Sequence, residues 1–503
     1  MRPRISETLR HALLKACGRL PRRPLEADEP DELRPSSLVE LMRARCSACP
    51  GQSGLSPLMD GEDALLARLG LIHGAENTLD LQYYIWNNDL TGSLLTLFCL
   101  QAADRGVQVR LLIDDLGSKP DDLLLRALDS HPNIDVRLYN PVAWRRLRWF
   151  GLLLGAFRLN RRMHNKSLTA DGVATILGGR NIGDEYFGAN RHVDFHDLDV
   201  LCIGEVVPEV AASFELYWQH KLSLPVDAFY QRRLPPDALE DLRAQILRRL
   251  EGEYGADYLA SVSRRLDAAP SQQAALHFYW GVAQLLYDHP DKTLDKPQAV
   301  TLTQQLSPLM ADSRHHLDIM SPYFVPGLKG MLWLRERARS GVQIRILTNS
   351  LAATDVTAVH AGYARYRWML LQAGVQLFEL RPDPSQHIER KKWLGRSRSS
   401  LHAKTFLLDR RFVFVGSLNL DPRSVEINTE IGVLFDNPAL AALLGERFEA
   451  TISRESYALS RRKTGLLWRD VSGVRNWKKE PNTTFRQRLW VRLLQFLPIE
   501  SQL

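Results

Sequence analysis

The sequence predicts an α/β protein built as two tandem α/β/α lobes in one chain, and three observations carry that prediction. A phrase occurs twice: His164-x-Lys166-x4-Asp171, followed by Gly178-Gly179-x-Asn181, returns as His402-x-Lys404-x4-Asp409, followed by Gly416-Ser417-x-Asn419, with a separation of 402 − 164 = 238 residues. The repeat reaches beyond those residues. Leu79-Asp80-Leu81-Gln82-Tyr83-Tyr84-Ile85 matches Leu317-Asp318-Ile319-Met320-Ser321-Pro322-Tyr323 at 317 − 79 = 238, and Gly106-Val107-Gln108-Val109-Arg110 matches Gly341-Val342-Gln343-Ile344-Arg345 at 341 − 106 = 235. Finally, each half alternates apolar runs with helical stretches, the arrangement of strands interleaved with helices.

Each half therefore reads in order as an apolar strand, a helix, a Gly-led strand, a further short unit and the His-x-Lys strand. Around them, residues 1–56 form a basic amphipathic N-terminus and a Pro-, Glu-, Asp- and Ser-rich linker, and 57–224 form the first lobe. Residues 225–275 carry a charged helical periodicity (Leu239, Leu242, Ile246, Leu247, Leu250) and make a connecting insertion. The second lobe spans 276–460, and 461–503 form a tail. In that tail Phe485, Leu489, Leu493 and Phe496 share one helical stripe while Arg486, Arg488 and Arg492 lie elsewhere. Such a helix either lies in a membrane interface or docks on its own lobe with arginine outward.

Composition bounds the partners. The chain has 503 residues, 45% hydrophobic content, 24% charge, a net charge of +7 and a pI near 9.1, which fits a globular protein of two or three domains that meets an anionic partner. Phospholipid headgroups and nucleic acid both qualify. Five scattered cysteines (Cys17, Cys46, Cys49, Cys99, Cys202) exclude a disulfide framework and fit a reducing compartment; the lone Cys46-x-x-Cys49 reads as incidental thiols. No window approaches the ~20 apolar residues of a spanning helix. The basic stretch Met1–Arg23 reads as an amphipathic surface helix, its apolar core being too short for a secretory signal.

Two imidazoles, two ammonium groups and two amides suit a site that attacks a phosphodiester, provided both halves face one pocket. A duplication serving only as scaffold would not require His, Lys and Asn to recur in register. Before the first His, Trp144–Arg158 crowds Trp, Phe, Leu and Arg; Arg390–Arg398 is its basic counterpart in the second half. Both are expected at a lipid-facing rim.

The paired motifs with their Gly-x-x-Asn tails resemble the phospholipase D superfamily. Leu81–Trp86, Leu159–Lys166, Gly178–Asp184, Leu347–Ala353, Val359–Arg365 and Asp421–Ser424 are most similar to bacterial cardiolipin synthases of the C type, over residues 50–503. The resemblance implies two phospholipase D-like lobes with the active site at their interface. It also implies a phosphatidyltransferase that makes cardiolipin from phosphatidylglycerol and a second phospholipid, phosphatidylethanolamine or phosphatidylglycerol. No cofactor or metal, no nucleic acid and a peripheral place on the cytoplasmic face of the bacterial inner membrane go with it. The catalytic set is His164, Lys166 and Asp171 with His402, Lys404 and Asp409, the two aspartates bracing their strands rather than touching substrate. His164 is taken as nucleophile through a phosphatidyl-histidine and His402 as general acid and base, the reverse remaining open. Asn181, Ser417 and Asn419 are expected to bind phosphate. Asp199 is expected to orient His402, and Glu430 to orient His164. His360, Tyr363 and Arg365 are candidate headgroup contacts. Gly179 departs from the family, where serine is usual and Ser417 keeps it. A hydrolytic phospholipase D, a nuclease of the same superfamily and a non-catalytic membrane binder remain as alternatives.

Overall fold

A computed structural model describes residues 38–117, 122–142, 156–190, 193–230, 234–268, 277–296, 299–382, 398–470, 475–497 and 500. The expected N-terminal surface helix, the rim segment up to residue 155 and most of its counterpart at 390–398 lie outside them. The chain forms two compact units. The first takes the chain through 177, then 181–189 and 199–285; the second takes 178–180, 190–198 and everything from 286. Two short pieces of the first repeat thus belong to the second unit.

The first half runs α1 (Leu38–Ser47), β1 (Ser53–Leu58), α2 (Gly61–Gly74), β2 (Thr78–Tyr83), α3 (Leu90–Asp104), β3 (Gln108–Asp114), α4 (Asp122–Asp129), β4 (Ile134–Tyr139), α5 (Ala156–Leu159), β5 (Ser167–Ala170), β6 (Ala174–Gly178), β7 (Val193–His196), β8 (Asp199–Gly204), α6 (Val206–Trp218), β9 (Ser223–Pro225), α7 (Ala238–Glu251), α8 (Glu253–Ala268) and β10 (Tyr279–Tyr287). In the first unit β2, β3 and β4 are parallel, with Leu81 opposite Leu111 and Leu111 opposite Val136. These strands are covered on both faces, which is why Leu111, Leu112 and Ile113 form an unbroken buried run. β5 joins β2 antiparallel and turns back as β6, so the strand that follows Lys166 lies against the first strand of the lobe. β8 pairs with β1, and β1 with β10. The insertion supplies α7 and α8; Arg249 of α7 donates to Ser93 Oγ at the start of α3 (2.6 Å), and the Tyr258 hydroxyl of α8 donates to the Phe187 carbonyl (2.7 Å).

The second half repeats the order: α9 (Leu302–Asp312), β11 (His316–Met320), α10 (Gly327–Arg339), β12 (Gln343–Asn349), α11 (Thr357–Ala364), α12 (Arg367–Gln372), β13 (Gln376–Leu380), β14 (Arg398–Leu401), β15 (Thr405–Leu408), β16 (Phe412–Gly416), β17 (Ile431–Asp436), α13 (Pro438–Arg454), β18 (Ser456–Arg461), β19 (Leu466–Asp470), β20 (Asn476–Trp477) and α14 (Phe485–Gln495). Strands β11, β12 and β13 are parallel, β15 lies antiparallel on β11, and β15, β16 and β17 form a meander. β14 pairs in parallel with β7, the piece of first-repeat sequence that belongs to this unit. Beyond the shared plan, β18 adds to β13 and extends through β19 and β20. The tail helix starts where its sequence dictates. Thr484 accepts from the Gln487 N–H, and Gln487 returns the favour to the Thr484 N–H, a reciprocal cap ahead of Phe485.

Candidate active site

In the first unit the chain leading to His164 is fixed by Asp114 at the end of β3. Its carboxylate receives the Arg162 guanidinium (2.7 Å) and the Met163 N–H (2.9 Å), and Arg162 also donates to the Tyr139, Asn140 and Leu159 carbonyls. Burial pushes the Asp114 carboxyl above its ordinary range, against the pull of Arg162. The His164 ring meets the edge of Tyr84 with centroids 5.0 Å apart, and Lys166 Nζ stands 5.5 Å from the same ring. Lys166 also donates to the His164 carbonyl. Downstream, Asp171 turns at φ +49° and accepts three N–H groups, from Glu76, Asn77 and Thr78, at 2.8, 2.7 and 2.8 Å. Aspartate tolerates that left-handed turn better than most residues. Asn181 accepts from the Ile85 N–H (3.2 Å) and donates to the Tyr186 hydroxyl (2.9 Å).

The second unit builds the same arrangement from different parts. Asn349 ends β12 as Asp114 ends β3, and its amide makes two 2.9 Å bonds to the backbone of Leu401. The His402 and Ala403 N–H groups both donate to the His196 carbonyl at 2.8 and 3.0 Å. The imidazole stacks on Phe195, with centroids 5.1 Å apart and planes tilted 23°. Asp409 repeats the brace at φ +51°, accepting from Arg314, His315 and His316 at 2.8, 2.7 and 2.8 Å. Burial raises the Asp409 carboxyl, but the three amides outweigh it and hold it below the ordinary range.

His402 Nδ1 lies 2.5 Å from Asp197 Oδ2 and 2.9 Å from Lys404 Nζ. Burial raises the Asp197 carboxyl, yet the neighbouring His402, Lys404 and Arg180 together prevail and keep it well below the usual carboxylate range. An ionised carboxylate only accepts, so Nδ1 carries a proton and donates it to Asp197. Nε2 is then the nitrogen through which the ring can act, as an acid when protonated and as a nucleophile or base when not. Asp197 is itself held: Oδ1 accepts from the Leu198 N–H (2.8 Å) and its carbonyl from Arg180 (2.7 Å). Lys404 donates to the His402 carbonyl, as Lys166 does to His164.

Several sequence expectations are corrected here. The carboxylate on His402 belongs to Asp197, not Asp199. Asp199 instead forms a buried ion pair with Arg68 (2.8 Å), whose guanidinium also reaches the Tyr83 hydroxyl (3.2 Å). The register shows why: Gly179 N–H bonds the Leu198 carbonyl as Ser417 N–H bonds the Ile431 carbonyl, so Asp197 is the counterpart of Glu430. The glycine departure has the same cause. A Cβ on Gly179 would sit 2.1 Å from Asp197 Oδ1, in the space the carboxylate fills. Ser417, expected on phosphate, gives its hydroxyl proton to Glu430 (2.5 Å) and accepts from the Ile431 N–H (3.0 Å). Glu430 stands in a buried acidic neighbourhood. Burial lifts Asp421 to about 7 and Asp288 to about 6, the latter against the pull of Lys292 at 3.0 Å.

Two of the candidate headgroup contacts, His360 and Arg365, bond residues of the tail. His360 meets Glu480 (3.4 Å), Tyr363 is buried in the lobe core, and Arg365 reaches Glu500 (3.1 Å) and the Leu497 carbonyl (2.8 Å). Sequence reasoning missed Asp114, Asn349, Phe195 and Asp197; the ends of the two repeat-related strands were the signal for the first pair. Asn419 is buried. Among the described residues no three His, Cys, Asp or Glu are grouped to hold a metal ion.

Two α/β units, each with a braced His-x-Lys strand, define the phospholipase D-like class. The comparisons make this specific. A family model described as cardiolipin synthase, phospholipase D-like domain, matches residues 69–218 and 306–452. Cardiolipin synthase C of Escherichia coli K12 is 44% identical over 471 residues, covering 90% of this chain and 97% of that protein. Cardiolipin synthase A of Pseudomonas entomophila is 28% identical over 83% of this chain and 73% of its own. The crystal structure of phosphatidylserine synthase from Haemophilus influenzae superposes with a TM-score of 0.58 at 13% identity, over 92% of this chain and all of that one, and so shares the fold. The chain belongs to the cardiolipin synthase family of phospholipase D-like proteins.

Proposed function

We propose that the chain is a phosphatidyltransferase that makes cardiolipin from phosphatidylglycerol and a second phospholipid. In the first step an imidazole nitrogen of His164 attacks phosphorus. A P–N bond forms, the bond to the headgroup oxygen breaks, and His402, entering the step as the imidazolium, gives its Nε2 proton to the departing alcohol while Nδ1 keeps the proton directed at Asp197. In the second, His402 takes the proton from a phosphatidylglycerol hydroxyl, whose oxygen displaces the histidine and restores the free ring. Lys166 and Lys404 neutralise the non-bridging oxygens, with Asn181 and Asn419 as amide donors. Asp171 and Asp409 hold the strands, and Asp197 holds His402 in the working tautomer.

The observation that carries this reading is the Asp197–His402–Lys404 arrangement: a carboxylate that holds Nδ1, so that proton exchange falls to Nε2, and a cation beside the ring. Peripheral attachment at the cytoplasmic face of the bacterial inner membrane completes the proposal. Among the described residues no helix is long and apolar enough to cross a membrane, and the described cysteines are free thiols.

The test incubates purified protein with phosphatidylglycerol and phosphatidylethanolamine vesicles in chelator and separates the lipid products. Cardiolipin is expected, and His164→Ala and His402→Ala should each abolish it. Phosphatidic acid alone would make the enzyme a hydrolase, and plasmid cleavage without lipid turnover would make it a nuclease.

A further inference from the structure

The tail helix α14 has two apolar faces, and among the described residues only one is packed. Val491 and Leu494 are buried against Leu351 and Ala361 of the second unit. At about 100° per residue, Phe485, Leu489, Leu493 and Phe496 fall on the opposite side of the helix. All four are exposed, Phe496 by 86% and Leu493 by 50%, and Trp490 beside them by 56%. Isolated exposed apolar residues are ordinary; a contiguous stripe of Phe, Leu and Trp on one short helix is not.

The helix is also fastened so that this stripe faces away from the lobe. Arg365 clasps its C-terminal end through the Gln495 and Leu497 carbonyls and through Glu500, and the Tyr366 hydroxyl donates to Glu500 as well. The Glu500 carboxylate in turn lies beside Gly327, 3.6 Å from where a Cβ would stand, at the start of α10. Leu328, next to that glycine, is exposed as well.

Charge selects the occupant. Arg486 and Arg492 flank the stripe on the helix, Lys478 and Lys479 precede it, and residues 481–497 contain no Asp or Glu. Arginine beside an apolar stripe, with an exposed Trp at its border, fits the level where headgroups meet acyl chains. A protein groove would need acidic residues around an apolar slot, whereas an anionic bilayer offers both over any area.

We propose that the outer face of α14 is a preformed membrane-docking surface for anionic phospholipid bilayers, held on the second unit rather than folding on contact. This rests on the proposed function for its purpose and deepens it by naming the surface that meets the lipid.

The test uses the full chain and a Leu493→Glu/Phe496→Glu variant, neither residue being in the catalytic machinery. Each is sedimented with vesicles of phosphatidylglycerol and phosphatidylethanolamine at low and high salt, and each is assayed on the same lipids dispersed in detergent. The variant is expected to bind vesicles at least tenfold more weakly, with an unchanged thermal midpoint and unchanged turnover in detergent. Parent binding should fall as salt rises. Vesicle binding of the variant within twofold of the parent overturns the proposal, as does a parent dimer in solution that the variant loses. Absence of cardiolipin from either protein in detergent would strike the proposed reaction alone, since vesicle binding is read separately.

Discussion

Asp197 and Asp199 stand two residues apart, both buried, and their substitution by asparagine should produce opposite signatures. Asp197→Asn keeps the shape but replaces the charge that receives the Nδ1 proton of His402 at 2.5 Å. A hydrogen bond to a charged group is worth about 2–3 kcal/mol, and at 1.36 kcal/mol per decade its loss should lower kcat by roughly 30- to 150-fold. The effect should fall on kcat more than on KM, because the imidazole acts in the reaction rather than in holding lipid. Asp199→Asn instead strands Arg68 in the core of the first unit, where its ion pair is 2.8 Å long and closed to solvent. Removing one partner of such a pair costs about 3–5 kcal/mol of stability, so the urea midpoint should drop while the folded fraction keeps its kcat. The assay is cardiolipin formation in mixed micelles, alongside urea denaturation of each variant. If Asp197→Asn kept kcat within threefold of the parent while Asp199→Asn lost it with an unchanged midpoint, the orienting role given to Asp197 would be refuted.

Gly179→Ser would make the first copy match the second in sequence, yet it should lower activity at least tenfold, because its Cβ meets Asp197 Oδ1 at 2.1 Å; the same turnover assay checks it. Asn349→Ala removes both 2.9 Å bonds to Leu401 and should reduce kcat about tenfold, equivalent to one net hydrogen bond of ~1.4 kcal/mol, with KM little changed. Asp409→Ala leaves three strand amides without their acceptor and should lower unfolding stability by about 2–3 kcal/mol, read from the urea midpoint. For pH, Asp421 near 7 and Asp288 near 6 hold protons in the folded state at pH values where the unfolded chain has lost them. Their contribution is complete below the ordinary carboxylate range and declines as pH rises through about 6 to 7, so the thermal midpoint should fall across that interval, and Asp421→Asn should flatten the slope.

The repeat itself was legible because duplication copies residue types, and His, Lys, Asp and Asn recur at fixed spacing. The brace was legible too: an aspartate five residues after each lysine reaches back to the first strand of its lobe in both copies. The identity of the acid on His402 was not. From Gly179 to Asp197 the chain runs 197 − 179 = 18 residues and from Ser417 to Glu430 it runs 430 − 417 = 13, so counting forward by the second spacing lands on His192 and does not choose among Asp194, Asp197 and Asp199. Only the pairing of Gly179 with Leu198 and of Ser417 with Ile431 sets the register. The contacts of His360 and Arg365 were hidden for another reason. Their partners, Glu480 and Glu500, lie more than a hundred residues away, and nothing in the local sequence announces them. The tail helix was half visible: its stripe could be read from spacing, whereas the grip of Val491 and Leu494 needed the neighbouring helix.

Glu480 has a consequence for how this chain tolerates shortening. It sits with Glu379 on either side of Arg367, at 2.6 and 2.9 Å, while Trp468 donates to Glu379 at 2.8 Å. A truncation that keeps residue 480 leaves this ionic knot tied, and one that stops before it leaves a guanidinium in the interior with half its counter-charge. The last forty residues are therefore not an appendage that can be trimmed freely. Their first part is a rivet through the lobe, and a tag or fusion partner belongs beyond it.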